Sequence, residues 1–369
     1  MGFAIRFTTD HLPPDADAPW WDIRRYDYHL PQECIAQQPA ARRDASRLLV
    51  YDRRSETIEH GVFRDLPRFV NPGDALVVNT CRVIPARLFM RRADTGTEIE
   101  LLLTRCLSDA IWEAMVKPGR SCKINCILRL PGGAAGGDAV VRGINSDGQR
   151  VIEFLCGGDA VQPLLRRHGV MPLPPYIHRS RTASARRDAT RYQTVYARGG
   201  AAIAAPTAGL HFTTGLLTRI KQRQCQVRSV ALDVGIGTFQ PVKCADIRQH
   251  AMHSEQCAIT PAVAAALNAT RAAGGAVIAI GTTSLRVLEQ CLDGQGVYQP
   301  YRGATAIFIH PPERVRSVDA LITNFHLPKS TLLMLVDAWI GTSARRRVYA
   351  EALARGYRFY SYGDAMLLR

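Results

Sequence analysis

The sequence predicts an α/β protein: a large α/β domain with a small all-β barrel domain inserted into it. Three observations carry that reading. At 369 residues the chain is long enough to bury more than one core. The run Ala276-Val277-Ile278-Ala279-Ile280 has the pattern of a strand buried on both faces, and Gly281 turns it into a helical segment. Between residues 62 and 156 brief strands alternate with turns, the spacing of a compact all-β unit, while the sequence on either side is mixed α/β.

The composition, 47% hydrophobic and 21% charged, is that of a globular protein. Lys and Arg number 47 against 32 Asp and Glu, a formal charge of +15, and most of the cations are arginines whose flat fork suits phosphate. A polyanionic partner is expected, although charge does not separate RNA from DNA. Ten cysteines stand singly without a CxxC, and Cys122 and Cys126 lack zinc-knuckle spacing, which fits a reduced, cytoplasmic setting. Neither an 18-residue apolar run nor a signal-peptide pattern occurs, so spanning and secreted readings are excluded.

Taken in order, residues 1–23 read as a loose N-terminal extension, rich in Pro and Asp without a period. The α/β domain is expected over 24–61 and 157–369, with the barrel domain at 62–156 between them. Pro31 opens a short helical turn, and Leu48-Leu49-Val50-Tyr51 is a strand. In the inserted unit the strands fall at 75–79, 97–104, 111–116 and 151–155. Arg82 beside the restrained Pro85 reads either as a ligand contact or as a surface ion-pair member. Three prolines in four positions make 169–177 a rigid extended connector. Arg179, Arg181, Arg186, Arg187 and Arg191 follow it, with Tyr192 and Tyr196; the arginines suit phosphates, and a tyrosine there suits stacking on an RNA base. The rival reading is a basic loop with core tyrosines.

A polar series then recurs at loop ends. In Ala204-Ala205-Pro206-Thr207-Ala208-Gly209-Leu210-His211-Phe212-Thr213, Thr213 is the expected cap of a helix, and His211 stands beside its N-terminus, where a neutral imidazole can act as a general base. Thr238 sits in a glycine-bracketed turn after the strand 227–234. His250, His253 and Glu255 lack metal-helix spacing, so His253 and Glu255 read as acid–base or ribose-binding groups and no metal is expected. Thr282 and Arg286 follow the strand 276–280, at the ligand-bearing edge of an α/β sheet. Asn324 and His326 close the next strand, and Lys329 and Ser330 open a helix that can hold a carboxylate or phosphate. Asp364 lies in a compact aromatic tail.

Several segments together resemble the S-adenosylmethionine:tRNA ribosyltransferase-isomerases of queuosine biosynthesis. They include Arg82-Val83-Ile84-Pro85-Ala86-Arg87-Leu88, Met171-Pro172-Leu173-Pro174-Pro175-Tyr176-Ile177, 204–213, Met252-His253-Ser254-Glu255, Asn324-Phe325-His326-Leu327-Pro328-Lys329-Ser330 and Tyr362-Gly363-Asp364-Ala365-Met366. The resemblance runs from about residue 24 to the C-terminus. It implies a cytoplasmic enzyme with no permanently bound cofactor, and a monomer is expected ahead of an obligate oligomer. S-adenosylmethionine would serve as co-substrate and ribosyl donor, and tRNA carrying 7-aminomethyl-7-deazaguanine at the wobble position as acceptor. Epoxyqueuosine, adenine and methionine would be the products. On this reading His211, with His253, Glu255 and Asp364, handles protons; Thr207, Thr238, Thr282, Arg286, Asn324, His326 and Lys329 hold the donor; and Arg82, Arg186, Arg187, Arg191 and Tyr192 meet the RNA. The chain departs from the family pattern at Asp233, where His is usual, and at Thr80 and Cys81 before Arg82. Another S-adenosylmethionine-dependent tRNA modifier, or a tRNA-binding homologue without catalysis, is the alternative.

Overall fold

The computed structural model describes residues 18–131, 137–179, 185–235, 237 and 242–369. The first strands are β1 (Arg47–Asp52), β2 (Thr57–Val62) and β3 (Ala75–Asn79). Six more follow: β4 (Arg87–Arg92), β5 (Glu98–Ser108), β6 (Ile111–Lys117), β7 (Ile127–Arg129), β8 (Ala139–Ile144) and β9 (Arg150–Phe154). They close on themselves in the order β4-β5-β6-β9-β8-β7, an antiparallel barrel. Inward residues alternate with outward ones, and Leu88, Met90, Ile99, Leu101, Leu103 and Ile152 fill the interior.

The C-terminal half supplies β10 (Gln226–Leu232), β11 (Glu255–Ile259), β12 (Val277–Ile280), β13 (Tyr301–Thr305), β14 (Ala320–Asn324) and β15 (Ala365–Leu368). With β1, β2 and β3 they form a nine-stranded mixed sheet in the order β13-β11-β10-β3-β12-β14-β15-β1-β2. Strands β10, β3, β12 and β14 run parallel, so their carboxyl ends share one edge. Successive residues point to opposite faces. Val77, Ala279 and Leu321 enter the core on one side, and Leu76, Ile278 and Ile322 the core on the other.

The position of β3 corrects the expected 62–156 boundary. Ala75–Asn79 is buried throughout and pairs with β10 and β12 in the large sheet; Phe63, Leu66 and Val70 pack on the same sheet. A run without polar alternation is what a strand covered on both faces requires. The barrel itself therefore occupies 87–154.

A second correction concerns the start. Residues 18–23 are tied down: Ile23 N–H donates to the Ala245 carbonyl at 2.9 Å, Ile247 N–H to that of Trp21 at 2.8 Å, and Trp20 stacks on His310 with ring centroids 5.4 Å apart. Residues 1–17 lie outside the described set.

Seven α-helices complete the described fold: α1 (Gly158–His168), α2 (Ala185–Arg191), α3 (Thr214–Gln222), α4 (Pro261–Ala272), α5 (Gly281–Gln290), α6 (Thr331–Ile340) and α7 (Thr342–Ala354). As the sequence suggests, Thr213 caps α3, its Oγ1 accepting the Leu216 N–H at 3.1 Å. Ser330 caps α6 in the same way. Gly281, at φ +87°, lets β12 turn at once into α5.

Candidate active site

A recess of about 70 Å³ opens at the shared carboxyl edge, between the ends of β10, β12 and β14. Val234 stands at the first, Thr282 and Thr283 open α5 at the second, and Asn324 and His326 stand at the third. The loop 204–208, including Thr207, and the tail residues Tyr360 and Ser361 form the remaining wall with Tyr176. The rings of Tyr176 and Tyr360 lie 4.3 Å apart at 30°, and the Tyr176 hydroxyl bonds Ser361 Oγ. Tyr360 holds φ at +71°, an uncommon conformation for a residue with a side chain.

Behind this wall His211 is buried and held at both nitrogens. Asn324 Nδ2 donates to the Tyr360 carbonyl at 3.0 Å, which fixes the amide's orientation, and it lies 3.2 Å from His211 Nε2. Nε2 is therefore the acceptor and Nδ1 carries the proton, donated to Ser46 Oγ at 2.7 Å. The Ser46 hydroxyl in turn donates to the Arg43 carbonyl at 3.3 Å. Burial lowers the His211 pKa to about 4, against the opposing charge of Asp364. His211 does not line the recess. His211 is thus a neutral, buried ring that orients Asn324, set in place by the tertiary position of Ser46 and Asn324.

Two acceptor-capable atoms on the recess walls have no hydrogen-bond partner among the described residues, Asn324 Oδ1 and Thr283 Oγ1. A buried polar atom without a partner is costly unless a ligand or solvent meets it. His326 is also neutral: burial lowers its pKa to about 3, and Nε2 bonds Thr323 Oγ1 at 2.8 Å.

A smaller recess of about 30 Å³ adjoins the first, Leu332 lining both. Glu255 and Arg286 form a buried ion pair in its wall, Arg286 Nη1 to Glu255 Oε2, while Glu255 Oε1 accepts the Gly235 N–H at 2.7 Å. His253 is exposed at the rim, packed against Gly237, with no hydrogen bond to any described residue. Among the described residues no three His, Cys, Asp or Glu side chains gather as a metal site.

Other expected site residues lie elsewhere. Asp364 is buried, accepting the Arg47 N–H at 3.0 Å, the Arg358 N–H at 2.9 Å and Arg358 Nη2 at 3.1 Å. It clasps the C-terminal loop to β1 rather than facing either recess. Lys329 pairs with Asp27 at 2.7 Å and lines neither recess. Thr238 falls outside the described residues.

On the basic side, Arg82 and Arg187 are exposed, and Arg82 also donates to the Ala197 carbonyl. Arg186 belongs to α2, its side chain outside the described set. Arg191 spends its guanidinium on the carbonyls of Ala40 and Ala41. Tyr192 is wholly buried, edge-on to Tyr362, so its ring has no face for a base; an aromatic in a basic segment became core instead.

Residue types alone did not single out Ser46, Tyr176 or Tyr360. Tyr176 is signalled only by its place at the end of the rigid proline connector. The departures Asp233 and Cys81 meet each other: Asp233 Oδ1 accepts the Ala201 N–H at 3.1 Å, and burial together with the Asp233 charge pushes the Cys81 thiol up to about 12. The pair fastens the 199–201 loop.

Comparison with known proteins agrees across most of the chain. A family model described as queuosine biosynthesis protein matches residues 23–368. A protein of Symbiobacterium thermophilum named S-adenosylmethionine:tRNA ribosyltransferase-isomerase is 50% identical over 343 residues, 93% of this chain and 98% of its own. One of the same name from Caulobacter vibrioides is 46% identical over 357 residues, 93% and 97% of the two chains. The crystal structure of a Thermotoga maritima S-adenosylmethionine tRNA ribosyltransferase superposes with a TM-score of 0.52 at 35% identity, covering 94% of this chain and all of that one.

Proposed function

The chain belongs to the queuosine biosynthesis protein family, and from that premise we propose that it is an S-adenosylmethionine:tRNA ribosyltransferase-isomerase. It transfers and isomerises the ribosyl moiety of S-adenosylmethionine onto 7-aminomethyl-7-deazaguanine at the tRNA wobble position. The products are epoxyqueuosine-tRNA, adenine and methionine. S-adenosylmethionine is consumed as a substrate, and no resident cofactor is required. The reaction belongs in the cytoplasm. The enzyme is taken to act as a monomer.

The observation that carries this reading is Asn324 Oδ1, a buried acceptor without a partner in a recess walled by two tyrosines. Such a recess suits a flat heterocycle bearing an N–H donor, stacked on an aromatic face. Thr283 and Thr282 stand beside it to meet ribosyl hydroxyls. Transfer needs the aminomethyl nitrogen to lose a proton as it forms its new bond to carbon. His253, unfettered at the rim, is the side chain assigned to accept it, and His211 keeps Asn324 in register. Exposed Arg82 and Arg187 supply phosphate contacts on the outer surface.

The test is product analysis after incubation with S-adenosylmethionine and tRNA bearing the aminomethyl base. Epoxyqueuosine in the digested tRNA supports the proposal. S-adenosylhomocysteine with a methylated nucleoside, or unaltered tRNA, contradicts it.

A further inference from the structure

Arg286 spends its hydrogen bonds differently from five other paired arginines. Arg24, Arg92, Arg179, Arg248 and Arg345 each present the edge made by Nε and Nη2 to an aspartate, two-pronged. That edge matches the two oxygens of a carboxylate. Arg286 instead meets Glu255 through Nη1, and its Nε and Nη2 have no hydrogen-bond partner among the described residues. The side chain is only 5% exposed, and it lines the smaller recess.

Resting on the ribosyl-donor reading above, we infer that this recess is a subsite for a zwitterionic α-amino acid group, with the Nε–Nη2 edge of Arg286 taking the methionyl carboxylate of the donor. Charge balance selects the zwitterion. Arg286 and Glu255 cancel before anything binds, so a bare carboxylate would leave one buried negative charge uncompensated. An α-ammonium restores neutrality, and each Glu255 oxygen, engaged once, keeps a lone pair to accept from it. Met252, Phe308 and Leu335 give the recess an apolar wall that suits a linear thioether chain. Leu332, shared with the larger recess, marks where the sulfur would pass from the amino acid side to the ribosyl side. The other cation offered by the sequence, Lys329, is already paired with Asp27. Methionine released by the reaction leaves from this subsite, so free methionine competes with the donor there.

Calorimetric titration of the full chain with S-adenosylmethionine and with its decarboxylated form, each with and without tRNA carrying the aminomethyl base, tests the inference. The wild type is expected to prefer the carboxylate-bearing donor by roughly 10-fold or more. Arg286→Lys keeps a cation for Glu255 but lacks the two-pronged edge, and it should bring the two affinities within a few-fold of each other. Equal binding of both compounds by the wild type, or an undiminished preference in Arg286→Lys, overturns the subsite. Should Arg286→Lys fail to fold, the wild-type comparison decides alone. Turnover is read separately. A donor preference without ribosyl transfer upholds the subsite and refutes the proposed reaction, and ribosyl transfer without any preference does the reverse.

Discussion

His211 and Asn324 fix one another: Asn324 Nδ2 reaches both His211 Nε2 at 3.2 Å and the Tyr360 carbonyl at 3.0 Å, so the amide has one orientation and the imidazole one tautomer. On the proposed reading the histidine is a positioning residue, and its influence on the reaction passes through the amide oxygen.

Stability should therefore depend on pH through this ring. The His211 pKa falls from 6.5 to about 4 in the fold, so between those values the unfolded chain binds more protons. Its contribution is full above pH 6.5 and is lost as pH falls through the window, on the order of 3 kcal/mol. His326, lowered to about 3, acts in the same direction. In urea denaturation at pH 7 and pH 5, His211→Gln should lose less stability on acidification than the wild type. An equal loss in both proteins contradicts the buried, neutral assignment.

Replacing Asn324 with Ala removes the unpartnered acceptor and also frees His211 Nε2. A drop in kcat/KM of about 10- to 100-fold, measured by adenine release, is expected. Wild-type kinetics in a folded Asn324→Ala protein would remove the amide from substrate recognition.

His253 offers the opposite profile, exposed and free of hydrogen bonds to the described residues. His253→Ala should lower kcat by roughly 10²-fold while leaving the melting temperature in place. Unchanged turnover would transfer the proton-accepting role to another group.

Asp364 accepts two backbone N–H groups and the Arg358 guanidinium while almost wholly buried. Asp364→Ala leaves these donors unpaired and should cost about 2–4 kcal/mol. Per folded molecule, kcat stays near the wild-type value. A fall in kcat with unaltered stability would restore a chemical role.

For RNA contact, Arg187→Ala combined with Arg82→Ala should weaken tRNA binding and shallow its salt dependence by about one unit of slope per lost phosphate contact. An unaltered slope in a filter-binding titration rules out phosphate contact by these two side chains.

Much of the architecture was legible because it depends on local pattern. Thr213 and Ser330 announce their helices through cap chemistry, and 277–280 announces a covered strand by being apolar throughout. The same logic placed Thr282, Asn324 and His326 at the strand ends where the recess lies. What stayed hidden was partner choice across long separations. Ser46 lies 165 residues from His211, and Glu255 lies 31 from Arg286. A residue's type states what it can bond, whereas the fold decides whether that capacity is already used. Asp364 has its capacity filled by two backbone N–H groups and the Arg358 guanidinium, Arg191 by backbone carbonyls, and Tyr192 is enclosed by packing. Strand β3 neighbours the barrel in sequence, whereas its uninterrupted burial belongs to the sheet.

Ribosyl transfer is tested most directly by following the ribose itself. S-adenosylmethionine labelled with ¹³C in the ribosyl carbons is incubated with the protein and tRNA bearing the aminomethyl base, and the products are quantified by mass spectrometry. Label is expected in the tRNA nucleoside, with free adenine and free methionine released in equal amounts. Label retained in S-adenosylhomocysteine, with none in the tRNA, would contradict it.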